Sequence, residues 1–137
     1  MNRLIATAIV GLLAAPALAE GDAAEGEKTF RKCKACHSVV SDAGETIVKG
    51  GKTGPNLYGV AGRTAGTYED FRYGDDIVAA GEAGLVWDEE TFAEYTHDPR
   101  EFLKEYLDDK GAKSKMSFKL KKGGEDVYAY LKSLSAE

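Results

Sequence analysis

Residues that hold metals or build covalent frameworks are scarce in this chain. Its 137 residues include two cysteines, two histidines, two methionines, one tryptophan and three prolines. Two cysteines exclude a disulfide-dense scaffold. The net charge is −5, from 18 basic and 23 acidic side chains, which argues against a nucleic-acid binder. Long apolar runs are also missing, with one exception at the N-terminus. There Leu4 to Leu13 carries no charge, follows Arg3 and precedes Ala17-Leu18-Ala19. A membrane-spanning helix takes roughly 20 apolar residues. This shorter run therefore reads as an export signal over residues 1–19, cleaved after Ala19, rather than as stable membrane insertion. The alternative is an uncleaved anchor. Residues 20–137 then form a single domain without internal repeats or long linkers.

The charge is unevenly spread. Thr67 to Glu101 holds eleven acidic residues against Arg72 and Arg100, whereas Lys104 to Lys122 holds seven lysines against Glu105, Asp108 and Asp109. Such a lysine run is either a solvated surface or a positive docking face that steers encounter with a negative partner.

Helix signals fall in three places. Asp22 can cap a helix running through Gly26, Phe30 and Cys33, with Glu25 completing a capping box. Asp88 opens DEETFAEY, and Asp98-Pro99 opens PREFLKEYL with proline at its preferred first helical position. Gly124 to Ser133 sets Val127, Tyr130, Leu131 and Leu134 in helical register. Between the first and second of these, Ser41 to Gly84 is glycine-rich and is expected to form loops with one or two short helical turns. So much irregular chain in a small domain calls for something else to organise it. A large apolar cofactor would do so, giving an all-α architecture with loops wrapped around a prosthetic group.

Cys33-Lys34-Ala35-Cys36-His37 is the motif that names a cofactor. Two thiols three residues apart lie on about the same face of a helical turn. Each can add to one vinyl group of haem while the adjacent imidazole reaches the iron, which is the c-type attachment pattern. Three other readings compete. A zinc ion needs four ligands, and Cys33, Cys36, His37 and His97 are the only such Cys and His residues, with adjacent Cys36 and His37 poorly arranged for one tetrahedral ion. A thioredoxin-like dithiol wants a βαβ context, and a disulfide within the motif would close a small strained loop. Export, the motif and a core too small for its loops agree on one haem.

Iron held by His37 needs a sixth ligand or stays open for chemistry. With the signal removed, Met116 is the only methionine, at the end of a lysine-rich loop. His97, in Tyr95-Thr96-His97-Asp98-Pro99, is the rival. A closed site with thioether on one side would favour the ferrous state and suit an electron carrier. An open site would suit an enzyme or sensor, and a chain without haem would be a thiol oxidoreductase.

Taken in order, GDAAEGEKTF, CKACH, KTGPNLYGVAGRTAG, YEDFRY, LVWDEETFAEYTHDP, KMSF and EDVYAYLKSL resemble a class I cytochrome c, of the bacterial periplasmic cytochrome c2 subtype. The resemblance implies a monomeric, non-enzymatic periplasmic electron carrier with one haem c. It makes Cys33 and Cys36 the thioether attachments, His37 the proximal ligand and Met116 the distal one. It gives Pro55 the carbonyl that accepts the proximal imidazole N–H, and Arg63, Tyr73 and Trp87 hydrogen bonds to the haem propionates. Tyr95 matches the tyrosine near the ligand methionine and Phe118 the aromatic beside the haem edge. Gly26 and Phe30 match contacts of the first helix with Tyr130 and Leu131 of the last. Implied partners are membrane redox complexes of respiration or photosynthesis: a bc-type complex, a terminal oxidase or a reaction centre. Lys28, Lys32, Lys34, Lys104, Lys110, Lys113, Lys115, Lys119, Lys121 and Lys122 are candidates for a ring around the haem edge. Between His37 and Thr53, and between Pro99 and Met116, the chain is longer than in the mitochondrial relatives. The usual proline before the ligand is replaced by Gly111-Ala112-Lys113-Ser114-Lys115.

Overall fold

A computed structural model describes Gly11 and residues 21–135. The expected export signal over residues 1–19, Gly11 apart, and its expected boundary after Ala19 lie outside the described residues. Among those described, five helices and one small hairpin follow in the order α1 (Ala23–Phe30), β1 (Val39–Val40), β2 (Thr46–Val48), α2 (Asp75–Glu82), α3 (Glu89–His97), α4 (Pro99–Tyr106) and α5 (Gly124–Ser135). The architecture is all-α, as expected.

Asp22 caps α1 by accepting from the Ala24 and Glu25 backbone N–H groups. The expected capping box does not close there. The Asp22 N–H donates instead to Asp126 Oδ1 on α5 at 2.8 Å, and Glu25 pairs with Lys28 at 2.9 Å. A reciprocal box does form at α3, between Asp88 and Thr91. α1 also stops at Phe30, so Cys33 falls in the following turn, where its N–H donates to the Phe30 carbonyl at 2.8 Å.

The crossing of α1 with α5 is the main helix contact. Its closeness comes from Gly26, since a Cβ at that position would overlap the Asp126 carbonyl oxygen and crowd Tyr130 Cβ. Phe30 then packs its ring 5.8 Å from that of Tyr130, and Phe30 and Leu131 are fully buried. Burying side chains of this size stabilises by roughly 1.5–3 kcal/mol each. These are the contacts that the resemblance implied. α5 packs also on α3, and α4 bridges α3 and α2.

The chain from Val39 through the glycine-rich stretch to Gly84 is more ordered than expected. β1 and β2 pair antiparallel, with Val39 opposite Val48 and an irregularity before Val40. The expected helical turns are one continuous helix, α2, of eight residues, whose place the sequence had not marked. It escapes notice because Gly74 at its start offers no side-chain cap and Gly81 sits inside it. The chain before α3 is tied to the loop at Arg63 by an isolated bridge, Thr64 with Val86, and by Trp87 N–H donating to the Arg63 carbonyl at 2.9 Å.

Candidate functional site

A cavity of about 320 Å³, lined mostly by apolar atoms, lies between the turn after α1, the loop through Arg63, helices α2, α3 and α5, and the segment before α5. Cys33, Cys36 and His37 form one side. Their turn is held by the Cys36 and His37 N–H groups, both donating to the Cys33 carbonyl at 3.2 and 3.0 Å. His37 is only 9% exposed, and its Nδ1 lies 2.8 Å from the Pro55 carbonyl oxygen. A carbonyl can only accept, so Nδ1 carries the hydrogen and Nε2 keeps a free lone pair. Burial lowers the pKa of His37, and the bond to Pro55 offsets part of this. The ring is therefore kept in the neutral form that binds metals.

Gly54, which the sequence reading passed over, makes room for this ring. A Cβ there would run into Cε1 and stand 2.7 and 2.8 Å from Nδ1 and Nε2. The signal for it was the GGKTG run. The same loop clasps the motif through Gly51 N–H to the Lys34 carbonyl and Gly54 N–H to the Cys36 carbonyl, both at 2.8 Å.

The two cysteines are not joined. Cys36 is exposed, while burial pushes the half-buried Cys33 thiol up to about 11. Among the described residues no group of three or more Cys, His, Asp or Glu side chains is placed to hold a metal ion. His97 does not line the cavity. It lies at the exposed end of α3 beside Glu90, Glu94 and Glu125. Met116 does line it, with Phe118, 41% exposed, next along the wall.

Arg63, Tyr73, Trp87 and Tyr95 also line the cavity. Arg63 donates to the Tyr58 carbonyl at 2.7 Å and stacks over the Tyr68 ring at 5.2 Å. Tyr73 accepts from the Tyr68 N–H at 3.2 Å, and partial burial raises its pKa. Trp87 is buried with its ring 4.8 Å from that of Tyr95. Burial also raises the pKa of Tyr95, opposed by a hydrogen bond with Ser114. Ser114 Oγ in turn donates to the Met116 carbonyl at 2.8 Å. Tyr68 and Ser114 went unassigned from sequence, because their roles arise only where separate loops meet.

Of the ten candidate lysines, Lys32, Lys113 and Lys115 border the cavity. Lys28, Lys104 and Lys119 are instead paired with Glu25, Glu101 and Asp98.

Two unpaired thiols, a neutral imidazole with one free nitrogen and a thioether share the wall of an apolar cavity. That donor set fits covalently attached haem. No family model matches the chain. It is nevertheless 65% identical over 136 residues to cytochrome c-551 of Roseobacter denitrificans, covering 98% of this chain and 97% of the relative. It is 64% identical over 129 residues to cytochrome c2 of Rhodobacter capsulatus, covering 94% and 93%. The solved structure of cytochrome c2 from Rhodobacter capsulatus superimposes with a TM-score of 0.81 at 65% identity, covering 83% of this chain and 98% of that one. Ferric cytochrome c-550 of Paracoccus versutus does so with a TM-score of 0.81 at 53% identity, covering 85% and 99%. The chain belongs to the class I cytochromes c, in the cytochrome c2 group, electron-transfer proteins that carry one covalent haem c.

Proposed function

We propose that the chain is an exported, periplasmic one-electron carrier whose haem is attached at Cys33 and Cys36 and ligated by His37 and Met116. The observation that carries this reading is the cavity wall, which includes the free Nε2 of His37 and Met116 but not His97. Haem bound there supplies a ferric–ferrous couple, with the thioether raising its potential over that of two imidazoles. Pro55 holds the His37 ring in one tautomer, so the ligand nitrogen needs no rearrangement between redox states. Trp87, Phe92 and Tyr95 present aromatic rings to the cavity. Arg63, Tyr73 and Trp87, which line the cavity, would hold the haem propionates.

With His37 and Met116 both holding its iron, the haem would offer no position for oxygen or peroxide, which separates a carrier from an enzyme or sensor. Spectra of the haem-loaded protein, oxidised and then reduced with and without carbon monoxide, test this. A sulfur-to-iron charge-transfer band when oxidised, and indifference to carbon monoxide when reduced, are expected. Met116→Ala should lose the band and bind carbon monoxide, while His97→Ala should change neither. A carbon monoxide shift in the unaltered protein would overturn the closed site.

The partners are membrane redox complexes of respiration or photosynthesis, such as a bc-type complex, a terminal oxidase or a reaction centre. Lys32, Lys113 and Lys115 at the cavity edge give an otherwise acidic molecule a positive approach. Electron transfer to such a partner should slow as salt rises, because exposed charges are screened over about 8–10 Å at moderate ionic strength. Rates indifferent to salt would remove the docking role.

A further inference from the structure

Chain rigidity around Met116 has no covalent source. The three prolines are Pro16, Pro55 and Pro99, so the segment from Leu107 to Gly123 has none. It is held from outside instead. The Lys113 N–H donates to Asp76 Oδ2 at 2.7 Å. Lys115 Nζ donates to the Arg72 carbonyl at 3.1 Å, and its stem passes Gly74, where a Cβ would stand 3.5–3.9 Å from Cγ, Cδ and Cε. These two attachments flank Ser114, whose hydroxyl holds the Met116 carbonyl.

The anchor itself is firm. Asp76 lies in the first turn of α2, whose Ala80 and Gly81 are buried, with Gly81 directly against the Ala65 carbonyl. A carboxylate accepting a backbone N–H is a charge-assisted bond, stronger than a neutral one. Swinging Met116 away from the cavity would break that bond and the Lys115 attachment together.

We propose that Asp76, assisted by Lys115, is a positioning residue that holds the Met116 segment against the cavity, with α2 as its fixed support. This rests on Met116 being an iron ligand. Asp76 touches neither iron nor haem, so its effect is read in how readily an outside ligand replaces the thioether.

The test is imidazole titration of the oxidised, haem-loaded protein, with the sulfur-to-iron band followed in each variant before imidazole is added. Asp76→Ala should bind imidazole about tenfold more tightly, equivalent to about 1.4 kcal/mol, while keeping the band at rest. Asp76→Asn, which retains an acceptor oxygen, should restore most of the original affinity. Lys115→Met keeps the stem but not the ammonium, and should shift affinity in the same direction by less. If Asp76→Ala does not accumulate as folded protein, Lys115→Met decides. Unchanged affinity in these variants, with the band present, overturns the positioning role. An Asn variant behaving like the Ala variant overturns the hydrogen-bond assignment. A band missing from the unaltered protein would instead remove the His37/Met116 reading itself.

Discussion

At His37 a single acceptor decides which ring nitrogen keeps a free lone pair, and a single missing methyl lets the ring lie there. The Pro55 carbonyl fixes the proton on Nδ1, and Gly54 leaves the space that the imidazole fills. A methyl at Gly54 must displace the ring or the loop that clasps the motif, and overpacking of this kind costs about 1–3 kcal/mol. Gly54→Ala should therefore lower both the yield of haem-loaded protein and its thermal midpoint, measured by haem-to-protein absorbance and by melting. A variant with unaltered loading and melting would show that the ring tolerates the intrusion. The contrast with Cys33, Cys36 and His37 is instructive. Their chemistry requires them to be neighbours in the chain, so it is legible in five letters. Gly54 and Ser114 matter because of what tertiary folding brings beside them, and nothing local marks that.

Among the elements, helices with a side-chain cap were legible, as was α5 from its apolar register, while α2 and the strands were not. Asp22, Asp88 and Asp98 each accept from the first turn of the helix they precede, and α1, α3 and α4 start where these residues stand. α2 starts at a glycine, and strands of two and three residues are too short to show an alternation. Asp98 does more than cap. It ends α3, opens α4 by accepting from the Glu101 N–H at 3.2 Å, and holds Lys119, three positions beyond Met116, at 3.2 Å. The Glu101 N–H above all, then Lys119, lowers its pKa. A carboxyl with a depressed folded pKa adds stability above its unfolded pKa and loses it as pH falls through the folded one. Asp98→Ala should thus melt below the unaltered protein near neutrality. The two midpoints should converge as pH drops below about 4, where carboxyl groups ordinarily take up protons. A gap that persists in acid would assign the effect to packing rather than to the charge.

For the molecule as a whole, part of the hydrophobic core is also cavity wall. Val60, Trp87, Phe92, Leu120 and Val127 belong to both. Those side chains cannot close on one another without pulling apart the helices that carry them, because Trp87 and Phe92 flank the start of α3 and Val127 is fixed on α5. An apolar space of about 320 Å³ left without an occupant deprives the side chains around it of packing partners, which costs stability. Total stabilities of domains are only about 5–15 kcal/mol, so the loss of several such contacts weighs heavily on the fold. Attached haem is then part of the core rather than cargo within it. The double variant Cys33→Ala/Cys36→Ala, purified without haem, should show no sharp calorimetric transition and little protection of its amides from exchange. The helical signal of such a chain should fade gradually on heating. A cooperative transition in that apoprotein would mean that the α1–α5 crossing and its neighbours carry the fold unaided, with the cavity collapsing at small cost.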